Sequence, residues 1–94
     1  MKIICITPVK HLNNLYRSIQ RYGEVIYKPY IKKNELSKFL KRNLDIDCIF
    51  CNPNKQNYML DNEVLSNTNI KVINTASTGL NHINLKDCND NKIK

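Results

Sequence analysis

The sequence predicts an α/β domain built on a parallel, doubly wound sheet. Three observations carry that expectation. Short apolar runs alternate along the chain with segments of helical periodicity. The runs are apolar and often β-branched at successive positions, as in strands covered on both faces. Pro8 and Pro53 close two of them, so the runs are short and bounded.

The elements follow in order. KIICIT, Lys2 to Thr7, is the first strand, ended by Pro8. Leu12, Leu15, Tyr16, Ile19 and Tyr22 recur at helical spacing, and Gly23 is the expected C-cap. EVIYKPY, Glu24 to Tyr30, is a second strand. Its Pro29 suits an edge position, where a missing N–H is tolerated. Asn34 is the expected cap of a second helix carrying Leu36, Phe39, Leu40 and Leu44 on one side. DCIFCN, Asp47 to Asn52, is a third strand. After the polar loop NPNKQN, Asp61 caps a short helix, with Leu60 and Leu65 at hydrophobic-staple positions. IKVINTA, Ile70 to Ala76, is a fourth strand. Asn84 caps a last helix running toward Lys92, with Asp87 as its acidic partner. Ile93 and Lys94 read as the start of a fifth strand. Right-handed βαβ units then imply a parallel sheet, which a flavodoxin-like, three-layer αβα domain fits, with strand order 2-1-3-4-5 expected by analogy with such domains. The expected domain is incomplete at its C-terminus.

Composition narrows the classes. Ninety-four residues make one small domain. Gly and Pro number two and three, which argues against disorder. The net charge of +7 raises a nucleic-acid role. Yet Lys32, Lys33, Lys38, Lys41 and Arg42 punctuate a helical pattern instead of forming a dense stripe, and only three of the fifteen basic residues are Arg. A solvated basic face is the simpler reading, and salt-dependent binding to mixed DNA or RNA would be needed to revive the other. MKIICITPVK lacks a signal-peptide h-region and cleavage site, and no segment reaches membrane-spanning length. A reduced cytoplasmic chain, with no membrane partner, is expected for the four cysteines.

In open α/β sheets, ligands bind beyond the carboxyl ends of the strands. Three such ends carry small or polar residues: Thr7 and Pro8, Asn52 to Asn54, and Ser77, Thr78 and Gly79. Gly79 permits close backbone approach or a positive φ, and successive N–H groups there can form an anion nest. On these residues alone, a small-carboxylate site and an ordinary glycine turn both remain open, the turn being the simpler.

The stretch KVINTASTGLNHINLKDCNDNKIK resembles the D-isomer-specific 2-hydroxyacid dehydrogenases, where a strand enters a Ser/Ala-x-Gly loop and then an Asp-His-Ile-Asp-Leu-like helix start. Gly79, Asn81, His82, Ile83 and Leu85 fall in place, and Glu63, Val64 and Leu65 match the family's short helix. The resemblance implies the N-terminal part of a substrate-binding domain. The Rossmann domain that binds NAD or NADP would lie outside this chain. It implies reduction of a 2-oxo acid, the reverse of oxidation at the CH–OH group of a D-2-hydroxy acid, and a homodimer for the complete enzyme. By the same resemblance Ser77, Thr78 and Gly79 hold the substrate carboxylate. Asn52, Pro53 and Asn81 border the substrate, and Tyr58 is a further residue for the cleft wall. The family's catalytic Arg, His and carboxylate have no counterpart among these positions.

This sequence departs from the family pattern in places. Asn84 stands for the usual Asp, a change a helix cap tolerates. Asn81 replaces a commonly acidic residue. Cys51 stands where some members have Arg, so substrate preference does not carry over. No G-x-G-x-x-G occurs, and no NAD is expected to bind these residues alone. Catalytic, cofactor-binding and metal residues are therefore assigned to none of the 94 positions.

Cys48 and Cys51 spell C-x-x-C, but three residues apart on a strand they face opposite ways. They read as buried, hydrophobe-like cysteines, not a redox pair or zinc clip. His82 reads as a helix-start residue that packs or hydrogen-bonds locally. The rival to the enzyme reading is a standalone small-carboxylate-binding module without chemistry. Titration with 2-oxo and 2-hydroxy acids separates the two.

Overall fold

A computed structural model describes residues 1–12, 14–52, 58–75 and 82–93. Four parallel strands form one sheet: β1 (Lys2–Cys5), β2 (Glu24–Tyr27), β3 (Cys48–Cys51) and β4 (Val72–Thr75), in the order β2-β1-β3-β4. Four helices join or follow them: α1 (Leu15–Gln20), α2 (Lys33–Arg42), α3 (Asn62–Leu65) and α4 (Leu85–Asp90). The chain steps one way from β1 to β2 and the other way from β2 through β3 to β4. Right-handed crossovers then require helices on both faces. The packing obeys this. Leu36 and Leu40 of α2, Val64 and Leu65 of α3 and Cys88 of α4 share a core with Ile4, Ile49 and Cys51. On the other face, Ile19 of α1 packs with Ile3, Cys5, Cys48 and Phe50. Pro29 follows β2, which is indeed an edge strand.

The central strands, β1 from Ile3 onward and β3, are apolar throughout because both of their faces are covered, whereas β2 and β4 are half-buried to exposed. Ile4 pairs with Ile26 on one side and Ile49 on the other, and Ile49 in turn pairs with Ile73. Ile4 and Ile49 are both fully buried. The switch in direction falls between β1 and β3, which puts the ends of those strands at the crevice where doubly wound sheets take ligands.

Several local expectations need correction. α1 covers six residues, not the whole periodic run: Leu12 and Tyr22 lie outside it and are 45% and 72% exposed. Its N-cap Asn14 makes no side-chain cap bond and no acid stands in the first turn, so nothing holds a longer helix at that end. Gly23 is not the C-cap, which is Arg21. Gly23 instead has φ +151 and passes so close to Met1 that an added Cβ would lie 1.8 Å from the Met1 carbonyl oxygen. Asn34 does not cap α2. The helix starts at Lys33, and the Glu35 carboxylate accepts from the Lys32 N–H at 3.1 Å, the acidic half of a capping box. Leu44 lies beyond α2 and is 50% exposed. Ile93 is buried on the α2–α4 face but is not in a strand, and Lys94 lies outside the described residues.

The caps of α3 and α4 agree with the sequence. Asp61 accepts from the Glu63 N–H at 3.1 Å, and Asn84 accepts from the Asp87 N–H at 3.0 Å. Leu60 and Leu65 share one core. Asp87 does not return the bond to Asn84, because the Asn84 N–H already donates to Leu60 O. Its carboxylate accepts from the Asn62 N–H at 2.8 Å instead, tying α4 to α3.

Candidate functional site

In a parallel sheet all carboxyl ends share one edge. Here that edge is formed by Thr7 after β1, Asn52 after β3 and Thr75 at the end of β4. β1 continues its pairing one residue past its end, the Ile6 N–H donating to Phe50 O at 3.0 Å. Thr7 is therefore buried, at 1% exposure, and its Oγ1 has no hydrogen-bond partner among the described residues. Asn52 and Thr75 are half-buried. Pro53, Ser77, Thr78, Gly79 and Asn81 lie outside the described residues. Of the expected substrate contacts, the structure thus describes Asn52 alone, and places it at the predicted edge beside the switch point.

Past β4, an isolated parallel bridge pairs Leu60 with Ile83. Leu60 N–H donates to His82 O at 2.8 Å and Asn84 N–H to Leu60 O at 3.0 Å. His82 is 5% exposed, and its Nε2 lies 3.1 Å from Cys51 Sγ. The expected local partner is thus a distant one, at the end of β3. Nothing in the spacing announces it, since the contact spans 31 residues. The β3–β4 pairing sets Cys51 opposite Thr75, and His82 lies against the same end of β3. Burial depresses the His82 pKa below the usual imidazole value.

The thiols are held neutral. Burial pushes Cys51 up to about 12 and Cys48 to about 11. Cys51 packs in one core and Cys48 in the other, so the two point to opposite faces of β3, as period-2 alternation requires. Among the described residues, no group of three or more His, Cys, Asp or Glu is placed to hold a metal ion. Tyr58 is half-buried and donates to Ile31 O at 3.0 Å. That anchors it toward the entry of α2.

Three of the basic residues make structural pairings. Lys2 lies 2.6 Å from Asp45 and 3.6 Å from Glu24. Lys33 bridges Asp61 and Glu63, and Lys41 donates to Glu63 O, so α2 is fastened to α3. Among the described residues, no helix is long and apolar enough to cross a membrane.

Comparison with known proteins now bears on this edge. The structure superposes on a protein of Pyrococcus horikoshii OT3 with a TM-score of 0.80 and 25% identity, covering 98% of this chain and 26% of that one. It is similar to the NAD+-bound 3-phosphoglycerate dehydrogenase of Entamoeba histolytica, with a TM-score of 0.72 and 28% identity over 99% of this chain and 31% of that one. A glyoxylate reductase from Paecilomyes thermophila shares the fold at a TM-score of 0.79 with 15% identity, over 99% of this chain and 30% of that one. The chain therefore spans between about a quarter and a third of these structures' length. No curated protein matches the sequence. The family model for the D-isomer specific 2-hydroxyacid dehydrogenase catalytic domain matches residues 4–94. With nearly every residue inside that match, the chain belongs to the D-isomer specific 2-hydroxyacid dehydrogenase family.

Proposed function

We propose that this chain is the N-terminal substrate-domain portion of an NAD(P)-dependent oxidoreductase acting on the CH–OH group of D-2-hydroxy acids. The observation that carries the reading is the family match over residues 4–94. The parallel sheet supports it, since the ends of β3 and β4, Cys51 and Thr75, are paired at its carboxyl edge. In this reading Ser77, Thr78 and Gly79 cradle the substrate carboxylate through backbone N–H groups, as successive amides in such a turn can. Asn52, Pro53 and Asn81 border the same acid. The Rossmann half supplies NAD or NADP and the groups that carry out hydride and proton transfer. This portion supplies carboxylate recognition and one wall of a cleft that closes over the cofactor. The residues here then bind and orient; they do not transfer the proton.

The test is turnover of a panel of 2-oxo acids by the complete enzyme carrying this segment, with NADH and NADPH, followed by nicotinamide absorbance. Gly79→Ala is expected to raise KM for the acid about tenfold or more with a small change in kcat, the signature of lost ground-state binding. Failure of the wild-type enzyme to reduce any 2-oxo acid defeats the reading. Binding of such acids by the 94-residue chain, with no turnover in any longer form, would instead favour a carboxylate-binding module.

A further inference from the structure

We propose that Cys51 and His82 form a positioning pair that fixes the roots of the two segments flanking the substrate edge, and that the pair holds only while His82 is neutral. Cys51 immediately precedes Asn52 and Pro53, and His82 immediately follows Asn81. One contact therefore joins the start of one segment to the end of the other. The partners are 0% and 5% exposed, with Sγ and Nε2 3.1 Å apart. The role in substrate binding rests on the function proposed above; the pairing itself does not.

The proton assignment follows from the neighbours. The Cys51 thiol carries one proton; Sγ lies 3.7 Å from Asn74 O, to which it donates, and the Thr75 side chain hydrogen-bonds to the same sulfur. The ring then carries its proton on Nε2 and donates to sulfur. That leaves Nδ1 as a bare lone pair, and Nδ1 has no hydrogen-bond partner among the described residues. The other tautomer would bury an unsatisfied N–H, which costs more than an unfilled lone pair. Protonation must occur at Nδ1. It would create that unsatisfied donor and place a charge among Cys51, Leu60 and Ile83, which are buried together.

Among the described residues, no neighbouring titratable group offsets the charge. On β3 the facing group is Cys51, and its thiol stays neutral to about 12. On α4, burial raises Cys88, and Asp87 gives its carboxylate to the Asn62 N–H; Lys86 and Asp90 are exposed. Beside Leu60, Tyr58 stays neutral to about 12, and Asp61 is paired with Lys33. β4 offers no titratable side chain. Acidification therefore favours a ring that leaves the pocket, and its loss is expected to loosen the neighbouring backbone bond from Leu60 N–H to His82 O.

The experiment is amide hydrogen exchange on the 94-residue chain between about pH 8 and about pH 5. It reads the Leu60 and Asn84 amides, corrected for intrinsic exchange. In the wild type both lose about tenfold protection as His82 titrates. His82→Gln keeps a donor near the Nε2 position and has no titrating ring, so its protection stays high and flat across the range. Cys51→Ala loses protection at every pH, and Cys51→Ser restores most of it. A purely structural histidine would give uniform losses without a pH profile. Wild-type protection that stays flat while His82 titrates overturns the proposal. So does a pH profile that survives in His82→Gln. If His82→Gln fails to fold, the Cys51 variants decide, because Cys51→Ala as well protected as wild type also overturns it. In the complete enzyme, the same transition appears as a rise in KM below the His82 pKa that His82→Gln abolishes. An enzyme without 2-oxo acid turnover removes the family-level function and leaves the exchange result standing or falling on its own.

Discussion

Gly23→Ala is the sharpest stability test the fold offers. Gly23 carries φ +151, a conformation side-chain-bearing residues rarely adopt, which costs about 1–3 kcal/mol. An added Cβ would also lie 1.8 Å from Met1 O and 2.7 Å from Met1 C, both backbone atoms. That distance is far inside contact, so the backbone has to move. The Glu24 N–H to Met1 O bond, 3.0 Å long, sits at the same point and opens the β1–β2 ladder. Losing it adds about 1 kcal/mol. The expected destabilisation is about 2–4 kcal/mol in a domain whose total is about 5–15 kcal/mol. In a domain of this size that lowers Tm by about 10–25 °C. Thermal unfolding followed by circular dichroism, with urea midpoints as a second measure, reads it directly. A drop of less than about 4 °C would show that Met1 swings aside freely, and would refute the claim that the α1–β2 turn is locked against the start of β1.

Three further outcomes follow from the same structure. Leu40→Ala, at 1% exposure, is expected to cost about 2–5 kcal/mol, while Leu44→Ala, at 50% exposure, changes stability by less than about 0.5 kcal/mol; similar urea midpoints for the two would place Leu44 in the core after all. Asn84→Ala removes the acceptor of the Asp87 N–H and costs about 1 kcal/mol, whereas Asn84→Asp is close to neutral in the same unfolding assay. Cys48 and Cys51, with thiols at about 11 and 12, are expected to resist alkylation at neutral pH until the chain unfolds; stoichiometric labelling of either in the native state would contradict their burial.

Local rules carried the caps of α3 and α4. Asp61 and Asn84 need only their own helix to show their role, so a single sequence suffices. Asn34 failed because Lys32 and Glu35 form an alternative start two residues earlier. The docking of α2 through Leu36 and Leu40 selects it. Gly23 was legible as a turn glycine but not in its conformation, since that depends on Met1, a strand and a helix away. Similarly, the expected capping box at α4 lost its second bond once Leu60 claimed the Asn84 N–H.

The amino-acid order by itself determined the class of fold, and the strand order across the described sheet agrees with the one expected by analogy with flavodoxin-like domains. Periodicity, chain direction and crossover handedness are properties of neighbouring residues and chirality, and those are written locally. The family membership was legible for a related reason: the residues from Lys71 to Leu85 occupy one continuous stretch. What only the tertiary structure decided is which distant groups meet. Cys51 and His82 each look unremarkable in the chain, as a strand cysteine and a helix-start histidine. They become a buried pair because the β3–β4 register and the Leu60–Ile83 bridge close the space between them. No spacing encodes that contact, because its geometry depends on how two layers pack and not on how far apart the residues stand in the sequence.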